Sequence, residues 1–214
     1  IGATVIEFQP PKFELCEEIF YRIVTVDGVK NFYDWLDGEK PLKQLKDMMM
    51  MASAPNWKRN AVKSLANLFG QKNLPRLLSY FGGGGEEFLK TWGKERENYQ
   101  RELESAMGEA KIDAIISPMA ALPAFLQNTV DKIGLGGNYS LLHNVSGFPA
   151  GVARVGEVKE NEAVARKSSL DLVERTAAKT EILTAGLPLS IQIAAKPWRE
   201  DIVIALIESL HQQK

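Results

Sequence analysis

Few residues in this chain have both a type and a spacing that could break a bond. Ser168 and Ser169 form a pair behind Lys167, and a serine becomes an effective nucleophile only when a base is positioned to take its proton. No glycines flank the pair to supply backbone donors for an oxyanion, and such donors carry a large share of the rate in acyl transfer. The pair also sits in a strongly charged stretch, so it reads as two solvated serines on a helix face. The glycine cluster Gly82 to Gly85 runs into Glu86 and Glu87 and contains no serine. His143 and His211 lie far apart, and Cys16 is the sole cysteine, which leaves neither a zinc set nor a disulfide framework. No catalytic, metal-binding or cofactor-binding residue is therefore assigned within these 214 residues.

Binding chemistry is written more clearly than catalysis. From Met48 to Gly85 the chain carries five basic residues, Lys58, Arg59, Lys63, Lys72 and Arg76, and no acidic one. Trp57, Ala61, Leu65 and Leu68 fall on one helical stripe with Phe69 beside it, while Lys58, Arg59 and Lys63 lie off the stripe. Gly70 to Asn73 reads as a turn. "LPRLLSYF" then restarts a helix, with Pro75 early enough to be tolerated. A helix with apolar and basic sides can lie in a bilayer interface, where each basic residue near an anionic surface adds ~1 kcal/mol. The expected membrane contacts are Trp57, Lys58, Arg59, Lys63, Leu65, Leu68 and Phe69. The stripe is narrow, and asparagines at 60, 67 and 73 dilute it, so the contact is expected to be peripheral and reversible. Two other readings stand beside it: a solvated face packed on its own core, and a groove for a partner protein.

These residues must be positioned by an ordinary globular fold. Apolar residues make up 45% and charged residues 25% of the chain, values typical of a soluble domain. A net charge of -1 argues against a general nucleic-acid binder. No apolar run reaches transmembrane length. One lone cysteine fits a reducing compartment, hence an intracellular location, peripheral on membranes. The chain opens on "IGATVIEFQPP" with no initiator Met. A strand over 3–8 starting at once suggests a piece of something longer.

Along the chain, periodicity predicts a helix over 12–36, the helix–turn–helix over 55–81, a long helix over 86–110 and a short buried strand at 113–118. An irregular stretch over 119–137, a short helix over 138–146, the strand "GVARV" and a charged, helical 157–182 follow. A strand from Leu189 then alternates Leu189, Ile191 and Ile193 against Ser190, Gln192 and Ala194, and a final helix starts near Glu200. About four strands interleaved with about six helices make an α/β fold.

One phrase is written twice. "SGFPAGVARV" (146–155) and "AGLPLSIQIA" (185–194) each place a Gly, an apolar residue and a Pro before a β-prone run. Gly147 and Gly186 permit backbone angles that other residues resist, and Pro149 and Pro188 hold the preceding residue extended. With its context, "NVSGFPAGV" (144–152) followed by "GLPLSIQIAAKPWRED" (186–201), the doubled phrase resembles the C-terminal part of the amidase signature family. Asn144, Gly147, Pro149, Ala150, Gly186, Leu187, Pro188 and Gln192 carry the resemblance. "DAIISPM" (113–119), "LHNVSGFPAGV" (142–152), "AKPWRED" (195–201) and "PNWKR…LPRLLSYF" (55–81) are similar to its fatty acid amide hydrolase branch.

The resemblance implies the C-terminal half of the amidase signature fold: a mixed, twisted β-sheet flanked by helices, with an amphipathic helix–turn–helix cap. Residues 1–214 would be a single C-terminal portion of an amidase domain, and 48–85 a membrane-facing cap within it. It further implies amide hydrolysis by two serines and a lysine encoded in a missing N-terminal half, so the isolated chain is expected to be inactive. Tyr80 and Phe81 match residues at the mouth of the acyl channel, Gly137 and Leu141 match acyl-chamber residues, and Trp198 matches a channel aromatic. Gly137 departs from the β-branched residue usual there. The implied partners are the missing half, a membrane surface and an amide substrate, with no cofactor. Unpaired sheet edges make a homodimer plausible. A general amidase or the amidase subunit of a tRNA amidotransferase shares the Gly-x-Pro phrases, although the basic cap argues against both. A non-catalytic module that binds a membrane or partner through the same scaffold is the third reading.

Overall fold

A computed structural model describes residues 2–129, 132–133 and 139–212. The longest helix organises the rest. In the numbering used below, α1 is Phe13–Val24, α2 Lys30–Leu36, α3 Lys43–Ser53, α4 Asn56–Leu68, α5 Asn73–Tyr80 and α6 Gly85–Glu109. Tyr99, Leu103 and Met107 recur at four-residue intervals on α6 and are all buried. That stripe packs against Cys16 and Ile19 of α1 and against Leu142 and Val145 of α7, Leu141–Ser146. The Tyr99 hydroxyl donates to Pro11 O at 2.9 Å, which ties the start of α1 to the middle of α6.

The sheet covers the end of this core. Strands β1 (Ala114–Pro118), β2 (Ala150–Glu157) and β3 (Pro188–Ala195) run in the order β1-β3-β2, and both pairings are antiparallel. Ile115 and Ala194 join the α6 core, while Val203 of α9 (Glu200–Gln212) is buried where that helix packs on β2 and β3. The buried Gln192 amide donates to Ser117 Oγ at 3.0 Å and Pro118 O at 3.2 Å, fixing β3 against β1.

The doubled phrase becomes two turns that feed adjacent strands. Gly147, at φ 69°, is the left-handed cap where the amides of Gly147 and Phe148 both return to His143 O. Gly186 takes φ 76°, and its amide bonds Val158 O. From those turns β2 and β3 pair, with Gly151 opposite Ile193.

Several expectations need correction. Residues 3–8 form no strand: they have no ladder partner among the described residues, and Val5 is 84% exposed. Val5 and Ile6 have strand propensity, but propensity is expressed only when a neighbouring strand accepts the ladder bonds. The helix expected over 12–36 breaks into α1 and α2 around Gly28 and Val29, both at positive φ. In the charged region helix begins only with α8, Leu172–Glu181, after a short 3-10 turn at Glu160–Glu162. The alternation expected in β3 gives way to burial of both faces from Gln192 to Ala195, because α9 covers one side and the α6 core the other. The described residues thus hold three strands and nine α-helices.

Candidate functional site

The helix pair read from residues 55–81 is present as α4 and α5, but α4 is turned the other way round from an ordinary amphipathic helix. Its buried positions are Arg59 and Ala66, with Val62 partly buried between them against the second core cluster of Val29, Met49, Ala52, Leu78 and Phe81. The apolar stripe of Trp57, Leu65, Leu68 and Phe69 points outward, with Leu68 80% exposed. Soluble surfaces scatter single apolar residues freely, whereas a contiguous row is informative. Lys58 stays on the outer side, its ammonium 5.5 Å from the Trp57 ring centroid, and Lys63 is half-buried.

Arg59 corrects the expected contact set. Its guanidinium donates to Ala52 O at 3.1 Å, to Ala54 O and to Asn56 Oδ1. It satisfies the terminal carbonyls of α3 and cannot present its charge to a lipid surface. Burial lowers its pKa from the usual guanidinium value. The backbone carbonyls left over at a helix end need a donor, and the Arg59 guanidinium supplies it.

The expected channel residues divide. Tyr80 stacks on Tyr21 with centroids 6.4 Å apart, and Phe81 meets Tyr21 edge-on at 5.8 Å. Phe81 is a core residue rather than an exposed lip. Leu141 is buried at the start of α7. Trp198 is 88% exposed between β3 and α9 at φ 65°. Gly137 lies outside the described residues. Tyr80 and Phe81 are therefore brought together, and Leu141 and Trp198 belong to other parts of the fold.

An apolar cavity of about 220 Å³ went unread in the sequence. Phe20 and Tyr21 of α1, Phe32 of α2 and Leu45, Met48 and Met49 of α3 line it. Only the methionine run at 48–51, side chains that shape themselves to irregular apolar contents, hinted at it. Tyr21 connects this cavity to Tyr80 and Phe81. Its phenol is pushed up to about 12, first by burial and then by the neighbouring Glu17 carboxylate. Glu17 is buried and pairs with Arg76 of α5 at 3.3 Å. Tyr80 is raised as well, chiefly by burial, so both phenols stay neutral.

Ser169 Oγ accepts the Asp171 amide at 3.1 Å, and neither serine of the 168–169 pair lies in a helix. The pair belongs to the turn ahead of α8, not to a solvated helix face. His143 is buried on α7, and neither ring nitrogen has a hydrogen-bond partner among the described residues. Among those residues no group of three or more His, Cys, Asp or Glu side chains converges as a metal ion requires, and no helix is long and apolar enough to cross a membrane.

Comparison with known proteins adds what the geometry alone leaves open. The model of the family described as Amidase matches residues 1–204. The chain is 23% identical over 212 residues to "Fatty acid amide hydrolase 1" of Caenorhabditis elegans, covering 98% of this chain and 37% of that protein. It is 26% identical over 219 residues to "Fatty-acid amide hydrolase 1" of Sus scrofa, covering 99% of this chain and again 37% of the relative. The chain thus spans little more than a third of the length of these relatives. A solved structure titled "Fatty acid amide hydrolase" superposes with a TM-score of 0.66 at 18% identity, over 98% of this chain and 33% of that one, which establishes a shared fold. With a family model extending from residue 1 into the first turn of α9, across all three strands and the eight preceding α-helices described above, the chain belongs to the amidase family.

Proposed function

We propose that these residues are the C-terminal portion of a serine amidase that hydrolyses long-chain fatty acid amides. They contribute one wall of the acyl channel and a membrane-facing cap, and a Ser-Ser-Lys machinery in preceding residues of the same protein performs the chemistry. Family membership supports amide hydrolysis, and the names of both relatives support a fatty substrate. The coverage of 37% of each relative fits a catalytic centre supplied from outside these residues, as does a Gly82–Gly85 cluster that holds no serine.

The observation that carries the fatty-amide reading over a general amidase is the outward apolar stripe of α4. A substrate dissolved in a bilayer is reached by an enzyme that rests on that bilayer, and a helix with exposed Trp, Leu and Phe beside lysines suits that position. Behind it, the apolar cavity and the Tyr21–Tyr80–Phe81 aromatic cluster offer a lining for an acyl chain. Tyr80 and Phe81 are assigned to that lining, while Leu141, Gly137 and Trp198, which do not adjoin it, are assigned to the acyl channel by resemblance alone.

The test is labelling with a fluorophosphonate serine-hydrolase probe, followed by competition between long acyl amides and short soluble amides. Labelling is expected only when the preceding segment is joined to this chain, with long amides competing. Preference for short amides would point to a general amidase or an amidotransferase subunit. An upstream segment without the two serines and lysine of the catalytic machinery would leave a non-catalytic binding module.

A further inference from the structure

Two leucines far along the chain stand where the cap would need them. Between the 3-10 turn and α8 the chain is irregular, yet its last residues are firmly held. The buried Asp171 accepts Lys72 N at 2.6 Å and Asn73 N at 3.0 Å through Oδ2, and Asn73 Nδ2 at 3.1 Å and Val173 N at 2.9 Å through Oδ1. Gln71 forms a second clasp: its Nε2 donates to Leu170 O at 3.0 Å and its Oε1 accepts Leu172 N at 2.8 Å. The Leu170 side chain comes within 3.8 Å of the position a Cβ on Gly70 would take. Five hydrogen bonds and a packed turn thus fix residues 170–172 against the α4–α5 connection, and yet Leu170 is 77% and Leu172 59% exposed.

We propose that Leu170 and Leu172 extend the lipid-docking surface of α4, so that the surface is assembled from two stretches about a hundred residues apart in sequence. The inference deepens the membrane contact in the proposed function and rests on it. The occupant is an anionic bilayer surface, and the charge of both stretches argues for it. Lys58, Lys63 and Lys72 lie on the first and Lys167 on the second, with no acidic residue from 48 to 85. The acids beside the leucines on the second stretch are held by hydrogen bonds, Asp171 by its amide donors and Glu174 and Glu181 by one shared Arg166 at 3.0 and 2.7 Å, and over 163–181 Arg166, Lys167, Arg175 and Lys179 outnumber those three acids. What faces outward is therefore apolar and basic, the combination that partitions to anionic lipid. The Asp171 and Gln71 clasps hold the two leucines in place before binding, so little ordering remains to be done at the surface.

The test uses the full chain with vesicles of phosphatidylcholine containing phosphatidylserine, read by co-flotation. Leu170→Ser with Leu172→Ser is expected to weaken partitioning about tenfold or more, as Leu65→Ser with Leu68→Ser does, because each leucine withdrawn from lipid forfeits its apolar transfer free energy. Unaltered partitioning of the 170/172 variant beside a defective 65/68 variant overturns this proposal and leaves the membrane reading standing. A native chain that does not partition overturns both. A second measurement does not depend on how the serine variants fold. Cys16 is fully buried, so Leu170→Cys supplies the accessible thiol for a polarity-sensitive dye. Its emission is expected to shift to the blue with vesicles, while a dye at Glu160→Cys stays unchanged. No shift at 170 also refutes the idea.

Discussion

Asp171 closes the amino ends of two helices at once, and its replacement tests that reading. Oδ1 accepts Val173 N at 2.9 Å and Glu174 N at 3.4 Å, which is the N-cap arrangement for α8. Oδ2 accepts the amides of Lys72 and Asn73 at the start of α5, where no local side chain provides a cap. Removing one N-cap acceptor costs about 0.5–2 kcal/mol. Asp171→Ala removes two and strands amides in a buried setting, so a loss of about 2–4 kcal/mol is expected, short of strict additivity because one side chain serves both helices.

Asp171→Asn is the discriminating variant. Its amide oxygen can replace one carboxylate oxygen, but its NH2 cannot accept, so one helix keeps a cap and about half the loss is expected. Ionisation matters too. Burial works against the charged form, but hydrogen bonds from the Asn73 and Lys72 amides, the Asn73 side chain and the Val173 amide outweigh it and hold the carboxyl below its usual range. A folded-state pKa below the unfolded one gives stability that is present above the unfolded value and fades as pH falls through the folded one. The native advantage over Asp171→Ala should therefore shrink in acid, below about pH 4. Urea unfolding measures the totals, and amide exchange at Lys72, Asn73, Val173 and Glu174 measures the local effect. If Asp171→Ala unfolds within about 0.5 kcal/mol of native, or those four amides keep their protection, the double cap is wrong.

Two further changes probe buried polar groups. His143, pushed down to about 4 by burial, folds neutral, whereas in the unfolded chain it takes up a proton near pH 6.5. Stability should hold above that value and decline between pH 6.5 and 4 by up to about 3 kcal/mol, and His143→Phe should flatten that part of a pH series of thermal melts. Arg59→Met keeps most of the apolar stem but leaves the Ala52 and Ala54 carbonyls without their donor. A loss of about 2–3 kcal/mol in chemical denaturation is expected, with little change in vesicle binding, because the guanidinium already faces inward.

The sequence announced α4 and α5 plainly, since Trp57, Leu65 and Leu68 recur at helical spacing. Which side of α4 would be buried was not legible. A stripe of large apolar residues and a row containing Arg59 look like outside and inside in that order only after α3 has offered its carbonyls to the guanidinium. The two Gly-x-Pro phrases were legible as strand starts because their constraints are local. Their adjacency, and the pairing of β1 with β3, are long-range facts that no window contains. Asp171 was passed over for the same reason: its partners Lys72 and Asn73 lie 99 and 98 residues away. The cavity at Tyr21 escaped because three helices each supply part of its wall. The opening residues misled for the opposite reason: Val5 and Ile6 carry strand-forming side chains, but among the described residues no strand pairs with them.

The middle place of β3 in the sheet has a consequence for synthesis. A ribosome emits β1 and β2 well before β3, and among the described residues neither of the early strands bonds the other: each bonds the latecomer. The edges that will face β3 must wait unpaired until residue 195 has cleared the exit tunnel, and nascent chains grow at roughly 5–20 residues per second. That delay is an interval in which the growing polypeptide is open to mispairing with its neighbours. A stop codon anywhere ahead of Pro188 would deprive both waiting strands of their common partner in a single stroke.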